Sequence, residues 1–155
     1  MLGRYYEDFT VGDTYRHPLG RTISEADNTW FTLLTLNTNQ SHFNADYAAA
    51  TPYKKLLVNS TLTVAIVTGI SVPDVSQHAF ANLGWEEIKM PNPVFVGDTI
   101  YARSTVLDLR ESKSRPYAGI VKVFTTGFNQ DGVDVITWTR TMLTYKRGHG
   151  PSSAP

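Results

Sequence analysis

Apolar positions along this chain change their spacing near residue 80. Before that point they gather in blocks set apart by polar runs. The first block, SEADNTWFTLLTL, opens on Ser24 with Asp27 three residues later, a capping-box pattern that predicts a helix with Trp30, Phe31, Leu33 and Leu34 as its core residues. A short helix is predicted around Asp46 to Ala50, ended by Thr51-Pro52, because the residue before a proline is pushed out of the helical region. The block Ser60 to Val72 carries two signals. Thr61, Thr63, Val64, Ile66, Val67, Thr68 and Ile70 are β-branched and favour strand, whereas about thirteen residues without a turn signal, preceded by Asn59-Ser60 as a cap, favour helix. Being apolar or small all the way round, a helix here is expected to be fully buried.

From Phe80 onward the pattern is that of strands. LGWEEIKM is followed by the break PNPVFVGD, then by TIYARSTVLDLR, the loop ESKSRPYAG and the strand IVKVFTTGF. The turn Asn129 to Gly132 (NQDG) leads into VDVITWTRTMLTYK, a hairpin signature with Asp-Gly at its tip. Near the start, VGD at 11–13 launches a short strand, Thr14 to His17, closed by Pro18 and Gly20. Four antiparallel strands preceded by helices give an α+β domain whose helices sit on one face of a curved sheet. The domain is expected to run over 1–146, with the small and polar residues 147–155 as a disordered tail.

Composition narrows the class. A chain of 155 residues suits one domain, and 14 basic against 14 acidic side chains give a formal net charge of zero. That balance argues for no nucleic-acid and no membrane partner, and a neutral surface is easily held in an oligomer. With no cysteine, disulfides and thiolate chemistry are excluded. The apolar stretch Leu62 to Val72 is too short to span a bilayer, and the first residues hold no continuous apolar run, so a cytoplasmic location is expected. No two histidines or carboxylates show metal-ligand spacing, so no metal is expected.

One stretch stands apart. NTNQSH puts six polar residues in a row between Leu36 and Phe43. A polar knot between core segments either binds something or forms a dense internal network. Asn37 to His42, followed by FNADYAA, resembles the hydratase motif of the MaoC-like dehydratase family, the R-specific enoyl-CoA hydratases of hotdog fold. The similarity extends through VGD, the block after Leu57, PNPVFVGDTIYA and the final hairpin. LGWEEIKMPNPVFVGD and RESKSRPYAGIVKVFTTGFNQDG are most similar to the branch that hydrates mesaconyl-CoA or related small branched C5 acyl-CoAs. The resemblance implies a single hotdog, a curved antiparallel sheet wrapped around a buried central helix formed by the block after Asn59. It also implies a homodimer or higher oligomer, with two sheets joined edge to edge and an acyl channel between subunits. Coenzyme A then enters as part of the substrate and no redox cofactor is needed.

The family pattern assigns roles residue by residue, with departures at Asn37 and at Asn59-Ser60, where the pattern has a His-Gly pair. Where it has an aspartate this chain has Asn37. An imidazole of reference pKa about 6.5 takes a proton from water near neutral pH, so His42 is the expected base; an amide only positions the water. Ser60 falls at the position whose backbone N–H receives the thioester oxygen, and Thr68 at that of the hydroxyl supporting the motif's aspartate. If the substrate carries a second carboxylate, Arg103 or Arg115 is the candidate partner. Plainer readings stand beside each: a hydrogen-bonded core histidine for His42, an N-cap for Ser60, a threonine bonding its own helix for Thr68, solvated charges for the arginines. His17, His78 and His149 read as strand, loop and tail residues. Two other classes fit the pattern, a hotdog thioesterase using Asp46 or Glu25 and a non-catalytic acyl-CoA-binding or partner subunit. The loss of the motif aspartate favours the latter, and retention of His42 speaks against it.

Overall fold

The computed structural model describes residues 3–151. Its frame is a six-stranded antiparallel sheet: β1 (Thr14–Arg16), β2 (Arg21–Thr22), β3 (Ala79–Lys89), β4 (Thr99–Glu111), β5 (Ala118–Phe128) and β6 (Asp134–Tyr145). The strand order is β1-β4-β5-β6-β3, with β2 also on β4. Three helices lie between β2 and β3: α1 (Glu25–Leu34), α2 (Ala45–Ala50) and α3 (Ser60–Ser71), the last running on into a π-helical turn, Val72–Ser76. The NQDG tip closes as expected. Gly132 adopts φ +77, its N–H donates to the Asn129 carbonyl at 3.0 Å, and the Asn129 side chain accepts from the N–H groups of Asp131 and Val133.

Alternation along β4 sends Ala102, Ser104 and Val106 to the concave face. There they join Trp138 and Met142 of β6 and Val67 and Ile70 of α3 in two adjoining apolar clusters, the core that a sheet curled over a helix creates. Thus α3 is a helix, as the hotdog resemblance implies, because packing on both sides rewards its β-branched residues. The expectation that it is fully buried is not met. Thr61, Ala65 and Gly69 form an exposed stripe at four-residue intervals, and a Cβ added to Gly69 would meet nothing within 4 Å. β3 is likewise half open. It pairs only with β6 among the described residues and leaves Leu83, Trp85 and Ile88 exposed.

α1 departs from expectation most. Its capping box forms, the Ser24 hydroxyl accepting from the Asp27 N–H at 3.1 Å while the Asp27 carboxylate accepts from the Ser24 N–H at 2.8 Å. The Ser24 N–H and hydroxyl, with Arg21 behind them, hold the Asp27 carboxyl below its ordinary value despite some burial. The helix is turned, however, so that Trp30 (78% exposed), Leu33 and Leu34 face outward and only Phe31 of the four expected core residues packs on the core. The buried positions are Asn28 and Thr32, both 0% exposed. Asn28 occupies the inner face because it meets backbone carbonyls and an N–H there, and Thr32 because it meets the Asn59 side chain, while Phe31 beside them packs on the apolar core.

At the other end of α3 lies a second buried polar network. His17, just past β1, is fully enclosed, with Nδ1 2.8 Å from an Asp74 carboxylate oxygen and Nε2 2.9 Å from the Ser104 hydroxyl. Arg4 donates to the same carboxylate at 2.8 Å. Of the tail expected over 147–155, residues 152–155 lie outside the described residues. Arg147 is engaged, its N–H donating to Glu7 at 3.0 Å and its guanidinium paired with Asp8.

Candidate active site

The polar knot is built by a succession of local caps. α1 ends in a Schellman motif: the Asn37 N–H donates to the Thr32 carbonyl at 3.0 Å, the Leu36 N–H to that of Leu33 at 3.1 Å, and Leu36 adopts φ 58. A left-handed leucine is strained, since its Cβ crowds the backbone. Asn37 Oδ1 then accepts from the Asn39 N–H at 2.9 Å, and Asn39 Oδ1 caps the next turn at the Ser41 N–H. That turn, the 3₁₀ helix Gln40–His42, carries the histidine, and Asn44 caps α2 through the Tyr47 N–H. The Asn37, Asn39 and Gln40 side-chain oxygens, the Ser41 hydroxyl and His42 Nδ1 are engaged in this way. The exposed Thr38 hydroxyl, Asn39 Nδ2 and Gln40 Nε2 have no partner among the described residues, and neither have Asn37 Nδ2 and His42 Nε2, which lie on residues that are less exposed.

His42 is 7% exposed. Its Nδ1 lies 2.8 Å from the Leu57 carbonyl oxygen. A carbonyl only accepts, so Nδ1 carries the proton and Nε2 presents its lone pair, the form a general base requires. Leu57 leads directly into α3. There Asn59, not Ser60, is the N-cap, its side chain accepting from the Thr61 N–H at 3.0 Å, while the Leu62 and Thr63 N–H groups reach the Asn59 carbonyl. The Ser60 N–H is left without an acceptor among the described residues, at the positive end of the helix dipole. Leu57 and Ser60 line one cleft of ≈ 240 Å³, together with Tyr53, Thr63, Met90 and Val135.

Asn28, which the sequence did not single out, joins these parts. Its Nδ2 donates to the His42 carbonyl at 2.7 Å and to the Leu57 carbonyl at 3.0 Å, and its Oδ1 accepts from the Asn59 N–H at 2.9 Å. Asn59 Nδ2 in turn donates to the Thr32 hydroxyl at 3.2 Å. The available signal was the spacing: Asn28 and Thr32 sit one turn apart, a polar stripe inside an apolar helix.

The remaining expected residues lie elsewhere or act otherwise. The Thr68 hydroxyl is buried with no partner among the described residues, so it bonds neither Asn37 nor its own helix. Arg103 is on the outer face of β4, exposed and ion-paired with Asp134 at 3.3 Å. Arg115 is exposed in the β4–β5 turn, and no lysine or arginine lines the cleft. Asp46 and Glu25 occupy the exposed first turns of α2 and α1. Among the described residues, no three His, Cys, Asp or Glu side chains converge as a metal group, and no helix is long and apolar enough to cross a membrane.

Comparison with known proteins agrees with the fold. A mesaconyl-CoA hydratase of Cereibacter sphaeroides is 35% identical over 99% of this chain and 45% of its own length. An (R)-specific enoyl-CoA hydratase of Rhodospirillum rubrum is 32% identical over 73% of this chain and 76% of its own. Among solved structures, a MaoC-domain dehydratase from Chloroflexus aurantiacus superposes with TM-score 0.88 at 31% identity, covering 99% of this chain and 44% of the other. A Mycobacterium tuberculosis protein described as a double hotdog superposes with TM-score 0.84 at 23% identity, over 99% of this chain and 46% of the other, which supports the fold. The chain thus spans about half the length of the mesaconyl-CoA hydratase it matches. Residues 2–151 match the family described as mesaconyl-CoA hydratase, and the chain belongs to that family of hotdog-fold, MaoC-like proteins.

Proposed function

We propose that this chain is a hydratase unit that adds water reversibly across the Cα=Cβ bond of an enoyl-CoA thioester. The observation that carries the reading is the fixed tautomer of His42. Its Nδ1 proton is committed to the Leu57 carbonyl, and the free lone pair sits one short segment from the unpaired Ser60 N–H. In the hydration direction a water proton passes to His42 Nε2 and the water oxygen bonds Cβ. The alkene electron pair shifts to the thioester oxygen, to which the Ser60 N–H donates, and Cα then takes the proton back from His42 Nε2 as the carbonyl re-forms, returning the imidazole to its neutral form. Asn37 Nδ2, its Oδ1 engaged by the Asn39 N–H, donates to the water oxygen and orients it. The names of the relatives favour a short C5 acyl group such as mesaconyl. The exposed edge of β3 and the open stripe of α3 favour a homodimer, tested by light scattering against twice the 17.3 kDa chain.

The test is hydration of crotonyl-CoA and mesaconyl-CoA by the purified chain, followed by loss of alkene absorbance. Folded His42→Ala should lose about 10²- to 10⁴-fold. Retention of more than a tenth of the parent rate would remove His42 as the base.

A second reading rests on Asn37 in place of the family's aspartate. In it the chain binds acyl-CoA or supports an intact hotdog without turning over alone. Under this reading the parent is silent and Asn37→Asp gains activity; under the first the parent is already active.

A further inference from the structure

The molecule holds several polar groups that the proposed chemistry does not use, and Asn28 has the most complete geometry. A fully buried amide is unfavourable unless its donors and acceptor are matched, and Asn28 matches all of its bonding to backbone from three separate segments. The first is the turn that carries His42. The second is Leu57, whose carbonyl oxygen receives both Asn28 Nδ2 at 3.0 Å and His42 Nδ1 at 2.8 Å. The third is the N-cap of α3, one residue before the free Ser60 N–H. A single side chain thus spaces the base from the oxyanion donor and holds the carbonyl that selects the histidine tautomer.

We propose that Asn28 is a positioning residue: by clamping the His42 backbone, the Leu57 carbonyl and the Asn59 N–H together, it keeps His42 in the Nδ1–H form and at a fixed separation from Ser60. This rests on the assignment of His42 and Ser60 above, and its consequence for the tautomer is readable without turnover. Of the two groups that donate to the Leu57 carbonyl, Asn28 Nδ2 anchors the oxygen from α1, so that the remaining lone pair faces the imidazole. Without the amide the segment 57–59 keeps the Leu57 N–H bond to the Ser41 carbonyl at 3.1 Å, the Val58 N–H bond to Val94, the bridge to Phe95 and the Asn59 Nδ2 bond to Thr32. The Leu57 carbonyl, however, loses the donor that fixes its second lone pair and is free to tilt away from the imidazole.

The experiment compares parent, Asn28→Ala, Asn28→Asp and Thr32→Val. Asn28→Asp is isosteric but faces two carbonyls with at most one proton to donate. Thr32→Val removes the neighbouring buried hydrogen bond on the same helix face and leaves the Asn28 set intact. Imidazole ¹⁵N shifts at pH 8 report the His42 tautomer, assigned by its absence in His42→Ala. Crotonyl-CoA kinetics report kcat and KM separately. We expect the parent and Thr32→Val to show the Nδ1–H form, and both Asn28 variants to show a mixture with the Nε2–H form. Their kcat should fall by about 10- to 100-fold while KM stays within about threefold, the pattern of a misplaced base. A folded Asn28 variant with the parent's tautomer and kcat within twofold overturns the proposal. So does loss of folding in both Asn28 variants, which would assign the residue to the core alone. A parent inactive on both crotonyl-CoA and mesaconyl-CoA would fail the hydratase reading, while the tautomer shift would still decide the role of Asn28.

Discussion

The two faces of α1 are opposite in character and opposite to what its sequence implies. Inward it presents an asparagine and a threonine with no exposure; outward it presents Trp30, Leu33 and Leu34, at 78%, 53% and 81% exposure. A helix normally turns its apolar stripe to the core because burial of apolar area is the driving force. Here much of the surface beneath α1, apart from the apolar core that Phe31 meets, is backbone, the carbonyls of His42 and Leu57 and the N–H of Asn59, and these need partners more than they need cover. The difference teaches that a site assembled from backbone groups recruits polar side chains from its scaffold and leaves the scaffold's apolar residues outside.

The largest expected effect sets these faces directly against each other. Asn28→Leu restores the apolar pattern on the inside, yet strips two carbonyls and an N–H of a buried partner, each worth about 1–3 kcal/mol, so a loss of about 3–5 kcal/mol is expected in urea unfolding. Trp30→Ala removes a much larger side chain from the outer face and should change the stability of the isolated chain by no more than about 0.5 kcal/mol. A Trp30 loss above about 2 kcal/mol that grows with protein concentration would show that the outer face is covered by a second chain and that the contrast belongs to the monomer alone.

The site was legible where local chemistry decides. The Ser24–Asp27 capping box, the turn at Asn129–Gly132 and the break at Thr51-Pro52 each depend on a few adjacent residues, and each forms. His42 and Asn37 were found through a motif whose spacing is local as well. What depends on the surroundings was not legible. Which face of α1 turns inward is set by the segment 42–59 packing beneath it, far from the apolar count of the helix itself. The open stripe on α3 escaped for the same reason, since threonine, alanine and glycine pack or stand free equally well. Asn28 was not singled out, because nothing adjacent to it in the sequence marks it. Its role lies in bonds to residues 14 to 31 positions away.

Acid sharpens the comparison by separating the two buried polar networks. The one beneath α1 joins amides, a hydroxyl, backbone and the His42 imidazole and holds no carboxyl, whereas that at the far end of α3 joins the Asp74 carboxylate to His17 and Arg4. Burial, the largest single influence on the Asp74 carboxyl, raises it, but hydrogen bonds from His17 and Arg4 and their charges together outweigh that and hold it below its ordinary value. A carboxyl depressed in the folded state contributes stability that is present above its unfolded pKa, about 3.9, and is lost as pH falls through the lower folded value. Asp74→Asn should therefore be less stable than the parent at pH 7, with a gap that narrows below about pH 4. Thermal melts at pH 7 and pH 3 measure it, and a gap that stays constant across that range would show that Asp74 acts through packing.

The smallest effect lies where the two faces meet. Leu36 ends the outer apolar face, 87% exposed, and its left-handed backbone hands the chain to Asn37. For a residue with a Cβ that conformation costs about 1–2 kcal/mol, and glycine escapes it. Leu36→Gly also frees the unfolded chain, which offsets about 0.4–1 kcal/mol of the gain. The side chain touches little that would be lost, so the variant should be more stable by about 0.5 kcal/mol, a rise of about 1–2 °C in Tm. The Schellman bonds to Thr32 and Leu33 come from backbone and survive the change, so Asn37 should stay in place and the hydration rate should hold within about twofold. A variant destabilised by 1 kcal/mol or more would mean that Leu36, like Trp30, is packed against something in solution, and that the outer face of α1 extends to the threshold of the site.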